Sequence, residues 1–371
     1  MSKQLLHTPE GVRDIYGSEY EKKTFVEQSL RKTIRSYGYE PIQTPTFEFF
    51  DVFSKEIGTT PSKELYKFFD KEGNTLVLRP DFTPSIARCA AKYFMEEQRP
   101  IRFTYMGNTF TNTSNLQGKL KEITQMGAEL INDSSVEADA EMISLMVETL
   151  KATGLQNFIV TVGNAEYFKG MCEEAGLDEE TEYELRSCIS GKNFFAAEEL
   201  LNAKNIAEPY KGKLLAIADM FGNMNSLENA RALATNPRSL HAIDRLSQLY
   251  EVLKLYDVAD YVSFDLGMLS KYNYYTGVLF KAYTYGVGNA IITGGRYDTL
   301  LGRFGKEAPA IGFAIVVDDL LEAMDHQRIG FHSTETEVLY YEADNRKDFE
   351  EKLKTAISLR QSGKSVELTA K

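Results

Sequence analysis

The 371-residue chain contains three cysteines, Cys89, Cys172 and Cys188, and no two of them form a CxxC pair. Neither a disulfide framework nor a zinc site can be built from that set, and it fits a reduced, cytoplasmic setting. Histidine is almost as scarce. His7, His241, His326 and His332 have no His or Cys partner three or four residues away, so they read as surface or capping side chains rather than metal ligands. Neither GxGxxG nor GxxxxGK[ST] occurs, which removes the usual phosphate-cradling loops. No apolar run approaches the ~20 residues of a membrane helix. The opening MSKQLLHTPEGVRD lacks the apolar centre of a signal peptide. Basic residues are outnumbered 42 to 54, a net charge of −12, which disfavours generic nucleic-acid binding because phosphate neutralisation needs clustered Lys and Arg. Catalysis by a Ser-His-Asp or Cys-His constellation has no local signature.

What is present is a soluble, globular composition, 43% hydrophobic and 26% charged. The length allows one large domain with an appendage, which we place at residues 1–330 and 331–371. Phe25, Val26, Leu30, Ile34 and Tyr37 predict a helix that Gly38 stops. Residues 66–78 read as a β-hairpin turning through Asp70–Asn74. Arg102–Thr111 and Glu122–Ile131 read as strands joined by a polar loop, and Glu137–Leu150 as an amphipathic helix. From about 165 to 260 the chain turns Ala-, Leu-, Glu- and Lys-rich and predicts helices only, a helical insertion. Strands resume at Tyr261–Leu266, Val278–Thr284 and Ala290–Thr293. The tail, 337–371, reads β-α-β, too short for an independent domain. The fold class is α+β, an antiparallel sheet flanked by helices.

Four segments could carry chemistry. Arg79-Pro80-Asp81-Phe82-Thr83 puts a carboxylate and a hydroxyl at a helix start, either as caps or as receivers of an ammonium group. Gln125, Gly127 and Glu129 alternate on one strand face, which is either solvated or a polar pocket floor, since buried polar groups need partners. Tyr272-Asn273-Tyr274-Tyr275-Thr276-Gly277 suits a pocket wall or a turn. In Thr293-Gly294-Gly295-Arg296-Tyr297-Asp298 the glycines permit a tight backbone at a strand end. Together these segments suit a small cationic or zwitterionic ligand; metals and cofactors are not called for.

In order and spacing these segments resemble the catalytic core of histidyl-tRNA synthetases, from Thr8 to about Met324. Gly38–Ile42 with Thr44-Pro45 and Glu48 resembles class II motif 1, the dimerisation element. Leu78–Thr83 resembles L-R-P-E-x-T. Tyr105–Phe110 with Gln125–Glu129 resembles motif 2, Tyr274–Gly277 the second histidine signature, and Gly294–Asp298 with Ala310–Ala314 the approach to motif 3. The resemblance implies a class II synthetase-like dimer. It also implies a histidine pocket in which Asp81, Thr83 and Gln125 meet the α-amino group. Glu129 and Tyr275 would face the imidazole, and Tyr274 and Tyr297 would shape the wall. Asp81 is one methylene shorter than the Glu of that family.

The departures point away from amino-acid activation. The cations that family sets against the α-phosphate are replaced by Thr111, Ser270 and Asp319. Losing one oxyanion partner typically costs ~10²–10³ in rate. The anticodon-binding domain of that family is represented here by only the short tail, which reads as a remnant or a truncated end. In these respects the chain is similar to the synthetase-like regulatory subunits of ATP phosphoribosyltransferase. That resemblance implies no chemistry of its own, a short-form catalytic subunit as partner, histidine as feedback effector, a homodimer within a hetero-oligomer, and neither tRNA nor membrane. The alternatives are a working histidyl-tRNA synthetase and an RNA-binding sensor on a dead synthetase fold.

Overall fold

The computed structural model describes residues 6–54, 60–113, 119–269, 275–331 and 335–371. Two compact units emerge. One runs to Asp14 and resumes over Lys23–Ile329; the other holds Ile15–Lys22 and Gly330–Lys371.

The first unit is built on a nine-stranded sheet. In chain order the elements are α1 (Gly17–Ser36), β1 (Glu40–Pro41), β2 (Phe47–Phe49), β3 (Lys67–Phe69), β4 (Thr75–Leu78), α2 (Thr83–Tyr93), β5 (Ile101–Phe110), β6 (Glu122–Ile131), α3 (Val136–Ala152) and β7 (Phe158–Asn164). The insertion follows with α4 (Ala165–Glu174), α5 (Glu179–Ser190), α6 (Phe194–Ala203), α7 (Glu208–Ala216), β8 (Phe221–Gly222), α8 (Met224–Leu233) and α9 (Pro237–Leu255). Then come β9 (Val262–Asp265), β10 (Val278–Thr284), β11 (Ile292–Arg296), β12 (Ala310–Val316) and α10 (Val317–His326). The sheet order is β1-β5-β6-β12-β11-β10-β7-β9-β8, and β2-β4-β3 form a separate small sheet.

The expectation of an antiparallel sheet needs correction at its margins. The stretch β5-β6-β12-β11-β10-β7 is antiparallel, but β1 pairs parallel with β5 and β7 parallel with β9. A parallel pair needs a long crossover, and the insertion between β7 and β9 supplies one. The insertion is also not purely helical, because β8 adds a two-residue edge to β9.

Period-two alternation decides which face does what. On β6, Met126, Ala128 and Leu130 join the main apolar core, as do Val278, Phe280 and Ala282 of β10. Val26, Leu30 and Ile34, spaced four apart on α1, are fully buried in the same core with much of α3. Ser135 caps α3, its hydroxyl accepting from the Ala138 N–H at 3.1 Å. The opposite face of the sheet carries Gln125 and Glu129 of β6 and Leu279, Lys281 and Tyr283 of β10.

Gly294 and Gly295, expected at a strand end, lie inside β11 instead, each paired on both sides. Aromatic rings occupy the space their side chains would need. A Cβ on Gly294 would come within 2.3 Å of the Phe280 ring, and one on Gly295 within 2.8 Å of the Tyr275 ring.

The second unit is small. β13 (Thr336–Tyr341) and β14 (Ser365–Ala370) pair parallel, joined by α11 (Arg346–Gln361). Tyr341 meets Phe349 edge to face, with ring centroids 5.0 Å apart.

Candidate functional site

A cavity of about 220 Å³ opens on the polar face of the sheet. Asp81, Thr83, Gln125, Glu129, Tyr275 and Tyr297 line it, together with Thr111. Its size falls below the ~300–1,000 Å³ typical of drug-sized sites and suits a single amino acid. The structure thus gathers four separate stretches of sequence at one place. Tyr274 and Ser270 lie outside the described residues. Asp319 does not line this cavity; it stands on the first turn of α10 near Lys119, Asp318 and Glu322.

Glu129 is the centre of the arrangement. Its side chain is 1% exposed. Thr83 Oγ1 donates to one carboxylate oxygen at 2.9 Å, and the Tyr297 hydroxyl donates to the other. Directly across the sheet from Glu129 sits Gly312. A Cβ there would fall 1.6 Å from Glu129 Oε2, so only glycine leaves room for the carboxylate. Burial pushes the Glu129 carboxyl up to about 8; the bonds from Tyr297 and Thr83 oppose the rise, and the Asp81 charge adds to it. The phenols of Tyr105 and Tyr297 are driven well above their usual range, first by burial and then by the charge of Glu129.

Asp81 shapes the turn and also borders the cavity. Its Oδ1 accepts the backbone N–H of Phe82 at 2.6 Å and of Thr83 at 3.3 Å, fixing the turn into α2, while the residue lines the cavity. Thr83 spends its hydroxyl proton on Glu129 and so orients that carboxylate. Gln125 Oε1 is buried without a hydrogen-bond partner. Such groups normally find one, and a donor brought by a ligand would satisfy it. Among the described residues no Lys or Arg lines the cavity. The described lining is therefore made of carboxyl, amide, hydroxyl and phenol groups without a fixed cation.

Several contributors were not assigned a role from sequence. Tyr105, stacked on Phe82 at 4.4 Å, fills the floor beneath Thr83 and Glu129. Arg296 and Asp139 hold the walls together. The buried Arg296 guanidinium donates to Asp139 Oδ1 at 2.8 and 2.5 Å, and its carbonyl accepts from Thr276 N–H at 2.9 Å. Asp298 N–H donates to Thr276 Oγ1 at 2.9 Å. These bonds tie the Tyr275 segment to the strand that ends before Tyr297. The signal for Tyr105 was available, since it lies opposite Gly127 on the paired strand; Asp139 sits in a helix whose periodicity gave no hint of it.

Comparison with known proteins agrees with this geometry. The family model described as histidyl-tRNA synthetase matches residues 11–320. A curated ATP phosphoribosyltransferase regulatory subunit of Acetivibrio thermocellus is 40% identical over 99% of this chain and 88% of its own length. The chain belongs to the family of ATP phosphoribosyltransferase regulatory subunits. A crystal structure from Bacillus halodurans, described as an ATP phosphoribosyltransferase regulatory subunit/histidyl-tRNA synthetase, superposes with a TM-score of 0.89 at 32% identity, covering 99% of this chain and 93% of that one. A histidyl-tRNA synthetase from a Nostoc species shares the fold at a TM-score of 0.81 and 20% identity, over 98% of this chain and 85% of that one. Members of the regulatory-subunit family therefore carry a class II synthetase-like fold, and the cavity described here opens on the sheet of that fold.

Proposed function

We propose that this chain acts as the non-catalytic regulatory subunit of an ATP phosphoribosyltransferase, in complex with a short catalytic subunit, and takes histidine in the Glu129 cavity as its feedback signal. The observation that carries the proposal is the cavity itself. It keeps the buried carboxylate, the amide and the phenols that suit a histidine, and among the described residues no Lys or Arg lines it. An amino acid can be held there, whereas adenylate formation builds negative charge at the α-phosphate and needs cations that the described lining does not supply. Thr111, at one of the positions where a cation is expected, lines the cavity with an uncharged side chain.

A homodimer is part of the reading. Phe47, Phe49 and Phe68 lie on one face of the β2-β4-β3 sheet, exposed by 53%, 56% and 37%. Three exposed rings side by side are unusual for a free surface, and Phe47 among them belongs to the segment, ending in Glu48, that resembles motif 1. Among the described residues no helix is long and apolar enough to cross a membrane.

The test is the ATP phosphoribosyltransferase activity of a short catalytic subunit with and without this chain, with histidine titrated in. Activation by the chain and inhibition by histidine support the proposal. An unchanged rate with a folded partner refutes it.

A further inference from the structure

The polar face of the sheet holds a second cavity beside the first. It measures about 370 Å³, inside the range of small-molecule sites. Leu279, Lys281 and Tyr283, alternate residues of β10, line one side. Ile189 and Lys192, at the end of α5 and just past it, line the other. The two cavities share Tyr275, Thr293 and Gly294. The Tyr275 ring, seated over Gly295, is the partition. Thr111 lines only the first cavity, so the second is not the place where a synthetase-like phosphate would sit.

The chemistry of this second cavity is the reverse of the first. Two lysines line it in a chain of net charge −12. Among the described lining residues the one carboxylate is Asp265, whose Oδ1 accepts the Gly267 N–H at 2.9 Å. Burial raises the Asp265 carboxyl, against the pull of Lys281 and Lys192. The remaining lining is apolar and aromatic, with Met268, Leu279, Tyr275 and Tyr283. Cations beside flat and apolar walls select an anion that carries a ring. Lysine binds phosphate as a point charge, and aromatic side chains accept any base because every base presents a π-face.

We infer that this cavity is a nucleoside monophosphate site, with the base against the tyrosine and apolar walls and the phosphate between Lys192 and Lys281, occupied side by side with the Glu129 cavity. The inference does not depend on which ligand the Glu129 cavity takes.

The experiment is calorimetry on the full chain with adenosine and uridine monophosphates as probes, alone and with saturating histidine. Both nucleotides are expected to bind with dissociation constants below about 1 mM, and adenosine or inorganic phosphate alone at least roughly tenfold more weakly. Lys281→Gln and Lys192→Asn should each weaken nucleotide binding about tenfold and leave histidine binding within about twofold. Asparagine suits position 192, where φ is +54°. No heat from either nucleotide at about 5 mM, displacement of nucleotide by histidine, or indifference to both lysine substitutions overturns the inference. Histidine titrated alone onto the same protein reports separately on the first cavity, so a failure of one reading is not mistaken for a failure of the other.

Discussion

Replacing Glu129 by glutamine tests the site through protons as well as affinity. The folded carboxyl titrates near 8, so at pH 7 the histidine-free site mostly carries a proton. Free imidazole titrates near 6.5. When histidine enters, carboxyl and imidazole share a single proton between them. Between about 6.5 and 8, one proton is present before and after binding, so affinity is flat with pH. Below about 6.5 the ligand arrives with a second proton that must leave, and affinity falls about tenfold per unit of acidification. Above about 8 a proton must be taken up, and affinity falls about tenfold per unit of alkalinisation. Glutamine cannot supply or share a proton, so Glu129→Gln keeps the acid limb and loses the alkaline one. Histidine's own ammonium titrates equally against both proteins and cancels in the comparison. The substitution also removes a buried charge partner, worth about 2–5 kcal/mol, or roughly 30-fold to several-thousand-fold in affinity. Calorimetry in two buffers of different ionisation enthalpy reads the protons directly. An alkaline limb shared by both proteins, or the same affinity in both, would refute the assignment of Glu129 as the imidazole partner.

The same carboxyl sets a stability slope. Its folded value lies above the unfolded one, so the folded state binds more protons between about pH 4.5 and 8, and wild-type stability declines as pH rises through that window. Glu129→Gln should remove the decline and gain up to about 5 kcal/mol at pH 8 relative to wild type, less about 1 kcal/mol for the hydrogen bond an amide cannot accept, as urea unfolding at pH 5 and pH 8 will show. Gly312→Ala should displace the Glu129 carboxylate and weaken histidine binding at least about tenfold by calorimetry while Lys281 and Lys192 keep the second cavity unaltered. Phe47→Ser with Phe49→Ser removes two half-exposed rings per protomer, about 1 kcal/mol each and four rings across a dimer, so sedimentation should show dimer association weakened by roughly a thousandfold. Asp139→Ala strands the buried Arg296 and should cost about 3–5 kcal/mol in denaturant unfolding.

Much of this architecture is legible in the residues. The helix over Val26, Leu30 and Ile34 follows from their four-residue spacing, and the hairpin of β3 and β4 from its Gly73 turn. Polar Gln125 and Glu129 alternating with Met126 and Ala128 already separate two faces of β6, and the structure decides between a solvated face and a pocket floor by burying Glu129 in the cavity lining. The parallel pairings were less accessible, because strand direction is set by the distant β9 and β1 rather than by anything inside β7 or β5. The two glycines of β11 mislead for a related reason. Read locally they signal a turn, whereas in the sheet their missing side chains are space used by Phe280 and Tyr275. The role of Gly312 is likewise invisible until β12 is laid beside β6.

The site also shows why a synthetase-like scaffold suits a sensor. An enzyme that activates an amino acid must hold the ligand and, a few ångströms away, stabilise charge that appears only in the transition state. In the proposed reading the first task falls to the Glu129–Thr83–Tyr297 bonds and to Gln125, whose buried Oε1 has no hydrogen-bond partner. The second needs fixed cations, and Thr111 shows one such position given up. Arginines placed near Glu129 would pair with it and lower its carboxyl toward the ordinary range. Without them, burial and Asp81 hold it near 8, close to neutral pH. On the proposed reading, the loss of catalytic charge and a proton-sharing grip on histidine would therefore have one physical origin. Restoring a single cation by Thr111→Arg should lower the Glu129 carboxyl, shift the alkaline limb of histidine binding to lower pH and reduce affinity, without restoring histidine-dependent ATP–pyrophosphate exchange. Exchange activity from that one substitution would show that the scaffold had kept its catalytic machinery after all.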